Sequence, residues 1–325
     1  MSRSLFDADE TPPLAARLAP ALRSLAQRGV YFGTSSWKYE GWLGSIYTQE
    51  RYVTRGRFSR KKFEAECLRE YAETFPVVGG DFSFYQFPTP EYWANLFHGL
   101  PQTFVFGLKV PEEITVKRWP GHARYGNRAG RLNEHFLDVA HFERAFTQVL
   151  KPHRDHVAVL MFEFGSFGPT DFPGVSDFIQ SLERFLQALP IGWYYAIEIR
   201  NKEYLVPDYF KLLARYNVAH VFNAWTRMLA IADQMALEHA FTADFAVVRA
   251  LLSKGRTYER AVEELAPYQE IQQPDLSTRG ALRQIAERAQ RIGQRAYVFV
   301  NNRLEGNAPA TIDAVVSSLP ASNLG

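Results

Sequence analysis

Eight short apolar runs, separated by stretches with helical spacing of apolar residues, organise this chain, and each run ends on a polar or charged residue. In order they finish at Ser35/Ser36, Asp81, Lys109, Glu163, Glu198 with Arg200, Asn223, Arg249, and Asn301 with Asn302. Strands alternating with helices build βαβ units and a parallel sheet. Eight units favour closure over an open sheet, so the expected fold is α/β: a TIM-type (β/α)8 barrel, a closed parallel sheet with surrounding helices. In such a barrel the C-terminal strand ends converge on one mouth, where the chemistry is done. The run from Val157 to Phe162 is continuously apolar, as a parallel strand covered on both faces must be.

Between the runs, apolar spacing predicts helices over 58–75, from near Pro90, over 133–150, 175–189, 207–216, 277–292 and 310–319. Residues 227–241 read as a helical insertion and 251–276 as polar and irregular. Residues 1–29 read as a peripheral lead-in, poorly ordered apart from a short amphipathic helix over 14–25. No Pro/Gly/Ser linker divides 30–325, which is expected to be a single barrel domain.

Composition narrows the function classes. No run of about 18 uncharged apolar residues is present, so no membrane-spanning helix is expected. The first ten residues carry acids where a signal peptide needs a basic and then an apolar stretch. The single cysteine, Cys67, has no internal disulfide partner, which fits a reducing cytoplasm. Thirty-seven basic residues against 35 acidic ones give no global case for nucleic acid or membrane. Two basic stretches, 51–62 and 118–131, lie beside aromatics and can contact phosphates, but a charge run is more often a solvated face.

The strand ends carry the candidate chemistry. After the first run, Gly33-Thr34-Ser35-Ser36-Trp37-Lys38-Tyr39-Glu40-Gly41-Trp42 offers hydroxyls and backbone N–H groups for an anion. Trp37, Tyr39 and Trp42 are candidates to wall a substrate pocket, or else to plug one end of the barrel. Asp81, followed by Phe82, Ser83, Phe84 and Tyr85, is a candidate for proton transfer, or a helix-capping acid. Lys109 on a barrel strand needs an acid partner or an anionic substrate. Strand alternation places Glu198 and Arg200 on one face, suiting Glu198 to act as a general base or metal ligand and Arg200 as an anion clamp. The alternative is an internal salt bridge. Glu163 is the candidate second carboxylate. Asn301 and Asn302 precede a last-helix corner where barrels often bind phosphate. Histidines 122, 135, 141, 153 and 156 show no ligand spacing, and His135 and His141, six apart, read as surface residues. No nucleophile elbow, Walker loop, HExxH, cysteine pair or GxGxxG is present.

Taken in order, several segments resemble the DUF72, or YecE-like, family. They are Gly33 to Tyr39 with Trp42; Ser83-Phe84-Tyr85 with Pro88; Phe106 to Pro111 with Ile114-Thr115; Ala196 to Arg200; and Phe299-Val300-Asn301-Asn302. The resemblance implies a TIM-type barrel with its site at the strand C-termini, and it implies no particular reaction. The chain departs from the family pattern in several places. Gly79 stands where the family usually has Glu, and Asp81 where it has Asn. Val116 and Asn201 stand where it has His, and Glu163-Phe164-Gly165-Ser166 replaces Gln-Leu-Pro-Pro.

The leading expectation is an enzyme (hydrolase, lyase or isomerase) acting by acid–base chemistry on a small polar metabolite that is anionic, phosphorylated or sugar-like. Glu198, Lys109, Asp81 and Glu163 are the catalytic candidates. Trp37, Tyr39, Trp42, Tyr85, Arg200, Asn223, Arg249, Asn301 and Asn302 are the substrate-binding candidates. No cofactor is evident, and a divalent metal is an option without an assigned ligand set. The rivals are a binding or scaffold protein on a degenerated site, and a nucleic-acid-processing protein guided by the arginine loops.

Overall fold

In the computed structural model, which describes residues 11–320, all eight runs are strands of one closed barrel. They are β1 (Val30–Thr34), β2 (Val77–Gly80), β3 (Val105–Lys109) and β4 (Val157–Phe164), then β5 (Tyr195–Ile199), β6 (Ala219–Ala224), β7 (Phe245–Ala250) and β8 (Arg295–Val300). Each strand pairs in parallel with its sequence neighbours, and β8 closes the ring against β1. A two-stranded antiparallel hairpin, Val53–Thr54 with Arg57–Phe58, stands outside the barrel.

The period-2 alternation sorts each strand into two faces. Val77, Val159, Met161, Ala196, Val221, Val247, Tyr297 and Phe299 pack together inside the barrel. Their chain neighbours Val78, Leu160, Phe162, Ile197, Phe222, Val248, Val298 and Val300 face the helices. Continuing the inner parity by two residues toward the C-terminal ends reaches Lys109, Glu163, Glu198, Asn223, Arg249 and Asn301. The charged residues are therefore the top layer of the barrel interior.

Phe299 is one of the side chains that fill that interior, and Gly107 makes its room. A Cβ on Gly107 would stand 2.3 Å from the Phe299 ring. Gly107→Ala should cost about 1–3 kcal/mol by overpacking, read as a lowered urea midpoint. Adding Phe299→Leu should recover part of the loss, because the clash is with a side chain; no recovery would show that the backbone is the obstacle.

The helices begin and end where local chemistry dictates. Ser59, Thr89, Thr257, Asp275 and Asn307 each accept a backbone N–H in the first turn of the helix that follows. Gly293, at φ 66°, ends the long helix Leu276–Ile292. Three expectations change. Helix Pro13–Gln27 is well formed and buries Ala15, Leu18, Leu22 and Leu25, with Arg17 paired to Asp313 at 2.7 Å, so most of the lead-in is packed on the barrel. Residues 1–10 lie outside the described residues. The stretch 251–276 contains a helix, Tyr258–Leu265, with Ala261 and Leu265 buried. No helix starts at Asn133: its side-chain amide instead donates to the carbonyls of Glu113 and Val116, each at 2.7 Å. The helix begins only at Val139, continues through a π-helical segment, Glu143–Thr147, and ends at Leu150.

Candidate functional site

Three acids and three cations interlock at the C-terminal mouth. Arg249 Nη1 donates to Glu163 at 2.6 Å and also to Glu198, while its Nη2 donates to Asp81 at 3.1 Å. Lys109 Nζ lies 2.8 Å from Glu163 and 3.7 Å from Asp81. Arg200 reaches Glu163 at 2.9 Å and Glu198 at 3.3 Å. Glu163 and Glu198 are register partners on adjacent strands, so two carboxylates stand side by side and the guanidinium of Arg249 bridges them.

Burial gives this network its character. Burial alone would push the Glu163 carboxyl toward neutrality. Arg200, Lys109 and Arg249 outweigh it and hold the group far below the usual carboxylate range. Burial also opposes the charge of Arg249, and Glu198, Asp81 and Glu163 overcome it, holding the guanidinium charged. Glu198 is fully buried, whereas the Asp81 side chain is 41% exposed. Asp81 is thus the acid of the network that a solute can reach. Aromatic faces steady the cations: Lys109 lies 3.6 Å above Phe84, and Arg200 lies 3.8 Å above Trp225. The hydroxyl of Ser83 donates to the carbonyl of Lys109 at 2.6 Å, tying the loop after β2 to β3.

Beside the network, a cavity of about 490 Å³ opens among the loops that follow β4 to β7. Arg200, Lys202, Arg227 and Lys254 contribute to its wall together with Asn201 and Thr226. Among the described residues, Lys202, Arg227 and Lys254 make no salt bridge, and the one acid in the wall, Glu203, accepts from the Asn201 amide at 2.6 Å. Arg200 belongs to both the cavity and the network. A larger cavity, about 650 Å³, lies at the opposite end of the barrel among Tyr31, Pro76 and Val105, away from every charged strand end.

The other sequence candidates are placed differently. Trp37 and Trp42 do not wall a pocket at the mouth: Trp42 is fully buried and stacked on Tyr47, and Trp37 packs edge-on against Phe82 and Phe106. They pack into the aromatic layer that lies between the barrel and its helices. Tyr39 is partly buried against Trp42 and Tyr268, and burial pushes its hydroxyl up to about 12. Tyr85 is exposed and stacks with Arg124 at 4.4 Å. Asn223 is buried, with its amide donating to the carbonyl of Ile199 and its backbone tied to Gln234. Asn301 and Asn302 are also buried, and their side-chain oxygens cap Arg303 N and Ala308 N. All three asparagines thus serve the chain's own backbone. In the second arginine-rich stretch, Arg118, Arg124 and Arg128 pair with Asp171, Glu112 and Glu113.

His135 and His141 are not independent surface residues. Because no helix starts at Asn133, and Leu137 adopts φ 56°, the chain folds back and stacks the two imidazoles at 4.2 Å. Both face Glu113, and the three offer metal-ligand atoms all within 4.8 Å of one another. The ambiguous signal is Asn133, which suits a helix N-cap and a loop equally well.

A family model described as a protein of unknown function, DUF72, matches residues 31–324. A DUF72 family protein of Thermotoga maritima MSB8 has a similar structure, with 18% identity and a TM-score of 0.59 over 88% of this chain and 98% of that one. A DUF72 family protein of Enterococcus faecalis V583 is similar at 15% identity and a TM-score of 0.56, over 89% of this chain and 95% of that one. At these identities the likeness concerns the fold. No curated protein matches the chain.

Proposed function

The chain belongs to the DUF72 family, whose function is unknown, and from its own residues we propose an enzyme that acts on a small anionic metabolite by acid–base chemistry. The observation that carries this reading is the basic cavity, which meets the buried ionic network at Arg200. A phosphate or carboxylate entering it meets Lys202, Arg227 and Lys254, none of which makes a salt bridge among the described residues, and the planar fork of Arg200 suits such oxyanions.

The reacting part of the substrate lies over Asp81. Its carboxylate, open to solvent and flanked by Lys109 and Arg249, exchanges a proton with the substrate, and the two cations stabilise the negative charge that develops. Glu163 and Glu198 hold the cations in place beneath it. Glu198 is therefore a positioning residue in this account, not the base.

The test is a thermal-shift screen of chelator-treated protein against phosphorylated sugars, small carboxylates, inorganic phosphate and pyrophosphate, followed by turnover assays on the compounds that bind. A ligand at 100 times its Kd adds about 2.7 kcal/mol of stability. Asp81→Asn should keep binding and lose turnover by about 100-fold or more. Unchanged turnover in that variant would remove Asp81 from the mechanism. The closed pairing of Glu163 and Glu198 favours a second reading, a ligand-binding protein without catalysis, and a compound that binds and is never converted would select it.

A further inference from the structure

We propose that Glu113, His135 and His141 form a transition-metal site, with Zn²⁺ as the ion their donors suit best. Glu113 lies in the short helix after β3, Glu112–Thr115. Its Oε1 is 3.2 Å from His141 Nε2 and 3.8 Å from His135 Nε2. Donors on a tetrahedral zinc with bonds near 2.0–2.1 Å stand about 3.3 Å apart, so two of the three ligand separations are already near that of a loaded site. Two imidazoles and one carboxylate are a donor set that zinc takes, with a fourth position left for water.

Four further observations support a built site. His135 Nδ1 lies 3.2 Å from Asp138 Oδ2; a carboxylate behind the ring favours the tautomer that frees Nε2 for an ion, as behind most metal-bound histidines. His141 Nε2 is a buried atom that makes no hydrogen bond, with Glu113 Oε1 3.2 Å away. The ligand-bearing loops are locked together by the Asn133 amide on the carbonyls of Glu113 and Val116, and by Leu137 N donating to the carbonyl of Ile114 at 2.9 Å. The helix carrying His141 runs into the π-helical segment Glu143–Thr147, a rare distortion that is frequent at functional sites.

Loading requires two small movements. The rings stack with planes 21° apart, so their in-plane lone pairs do not meet at one point until the more exposed His135 ring turns. Arg144 Nη2, 3.2 Å from His141 Nδ1, must withdraw so that this nitrogen can carry the proton and Nε2 can take the ion. None of the three ligands belongs to the ionic network at the mouth, so this site stands or falls apart from the proposed reaction.

Titration of chelator-treated, desalted protein with ZnCl₂ should show one equivalent bound per chain and a rise in Tm. Co²⁺ should give the visible absorption of a tetrahedral nitrogen–oxygen site. His135→Ala and Glu113→Gln, made where the side chains are partly open to solvent, should each abolish the equivalent while keeping the metal-free Tm. Asp138→Asn, which can still cap the helix, should weaken binding about 10–100-fold. His153→Ala, at a histidine packed on Phe97, should change nothing. Absence of binding, or equal affinity in His135→Ala and Glu113→Gln, would overturn the proposal.

Discussion

Replacing Arg249 with leucine should destabilise the fold by about 3–5 kcal/mol, the cost of leaving buried charges without their partner. The guanidinium is 4% exposed and bonds Glu163, Glu198 and Asp81 at once. Leucine fills much of the volume but leaves Glu198 with Arg200 alone and Glu163 with Lys109 and Arg200. Arg249→Lys keeps the charge yet cannot span three carboxylates, so it should recover only part of the loss. Urea unfolding reads both variants, and a change below about 1 kcal/mol in Arg249→Leu would show that the network repacks without it.

The acid response has a definite sign. The folded-state pKa of Glu163 is depressed below its unfolded value, so its contribution is complete above the unfolded carboxylate range, near pH 4.3, and is lost as pH falls through the lower folded value. In Arg249→Leu that depression shrinks, and the stability lost below pH 4 should shrink with it.

Gly33→Ala is expected to be as damaging, by another route. A Cβ at Gly33 would stand 1.9 Å from the carbonyl oxygen of Val77. That atom is backbone on the adjacent strand, where β1 pairs with β2 through Gly33 and Thr34. Nothing flexible can give way, so the cost should lie at or above the upper end of overpacking, about 3 kcal/mol. Gly280 supplies the opposite sign. It lies inside the helix Leu276–Ile292 with nothing within 4 Å of an added Cβ, and alanine there should add about 0.5–1 kcal/mol. If both substitutions moved the urea midpoint in the same direction, the steric account of the β1–β2 seam would be wrong.

The barrel was legible in the sequence because its physics is local. A continuously apolar run such as 157–162 cannot be a half-solvated strand, alternation already put Glu198 and Arg200 on one face, and Lys109, Glu163 and Arg249 stood at strand ends. Whether those charges are free or mutually bound depends on contacts such as Glu163 with Arg249, 86 residues apart, which only closure of the barrel creates. The basic cavity was illegible for the same reason: Lys202, Arg227 and Lys254 come from three separate loops. For the tryptophans of the first loop the sequence leaves two readings, pocket wall or barrel plug, because three large aromatics in a glycine-bearing loop need a partner that the sequence does not name. Here a short 3₁₀ turn, Glu40–Trp42, tucks Trp42 against Tyr47.

The central claim, that the basic cavity beside the mouth receives the anionic part of a substrate, is tested most directly by calorimetric titration of pyrophosphate into chelator-treated protein at low salt. The account predicts one site in the unsubstituted chain, lost in Arg227→Ala/Lys254→Ala and kept in Lys61→Ala/Lys62→Ala, which removes the same charge from an exposed stretch elsewhere. Equal affinity in all three proteins, or no binding in any, would contradict it.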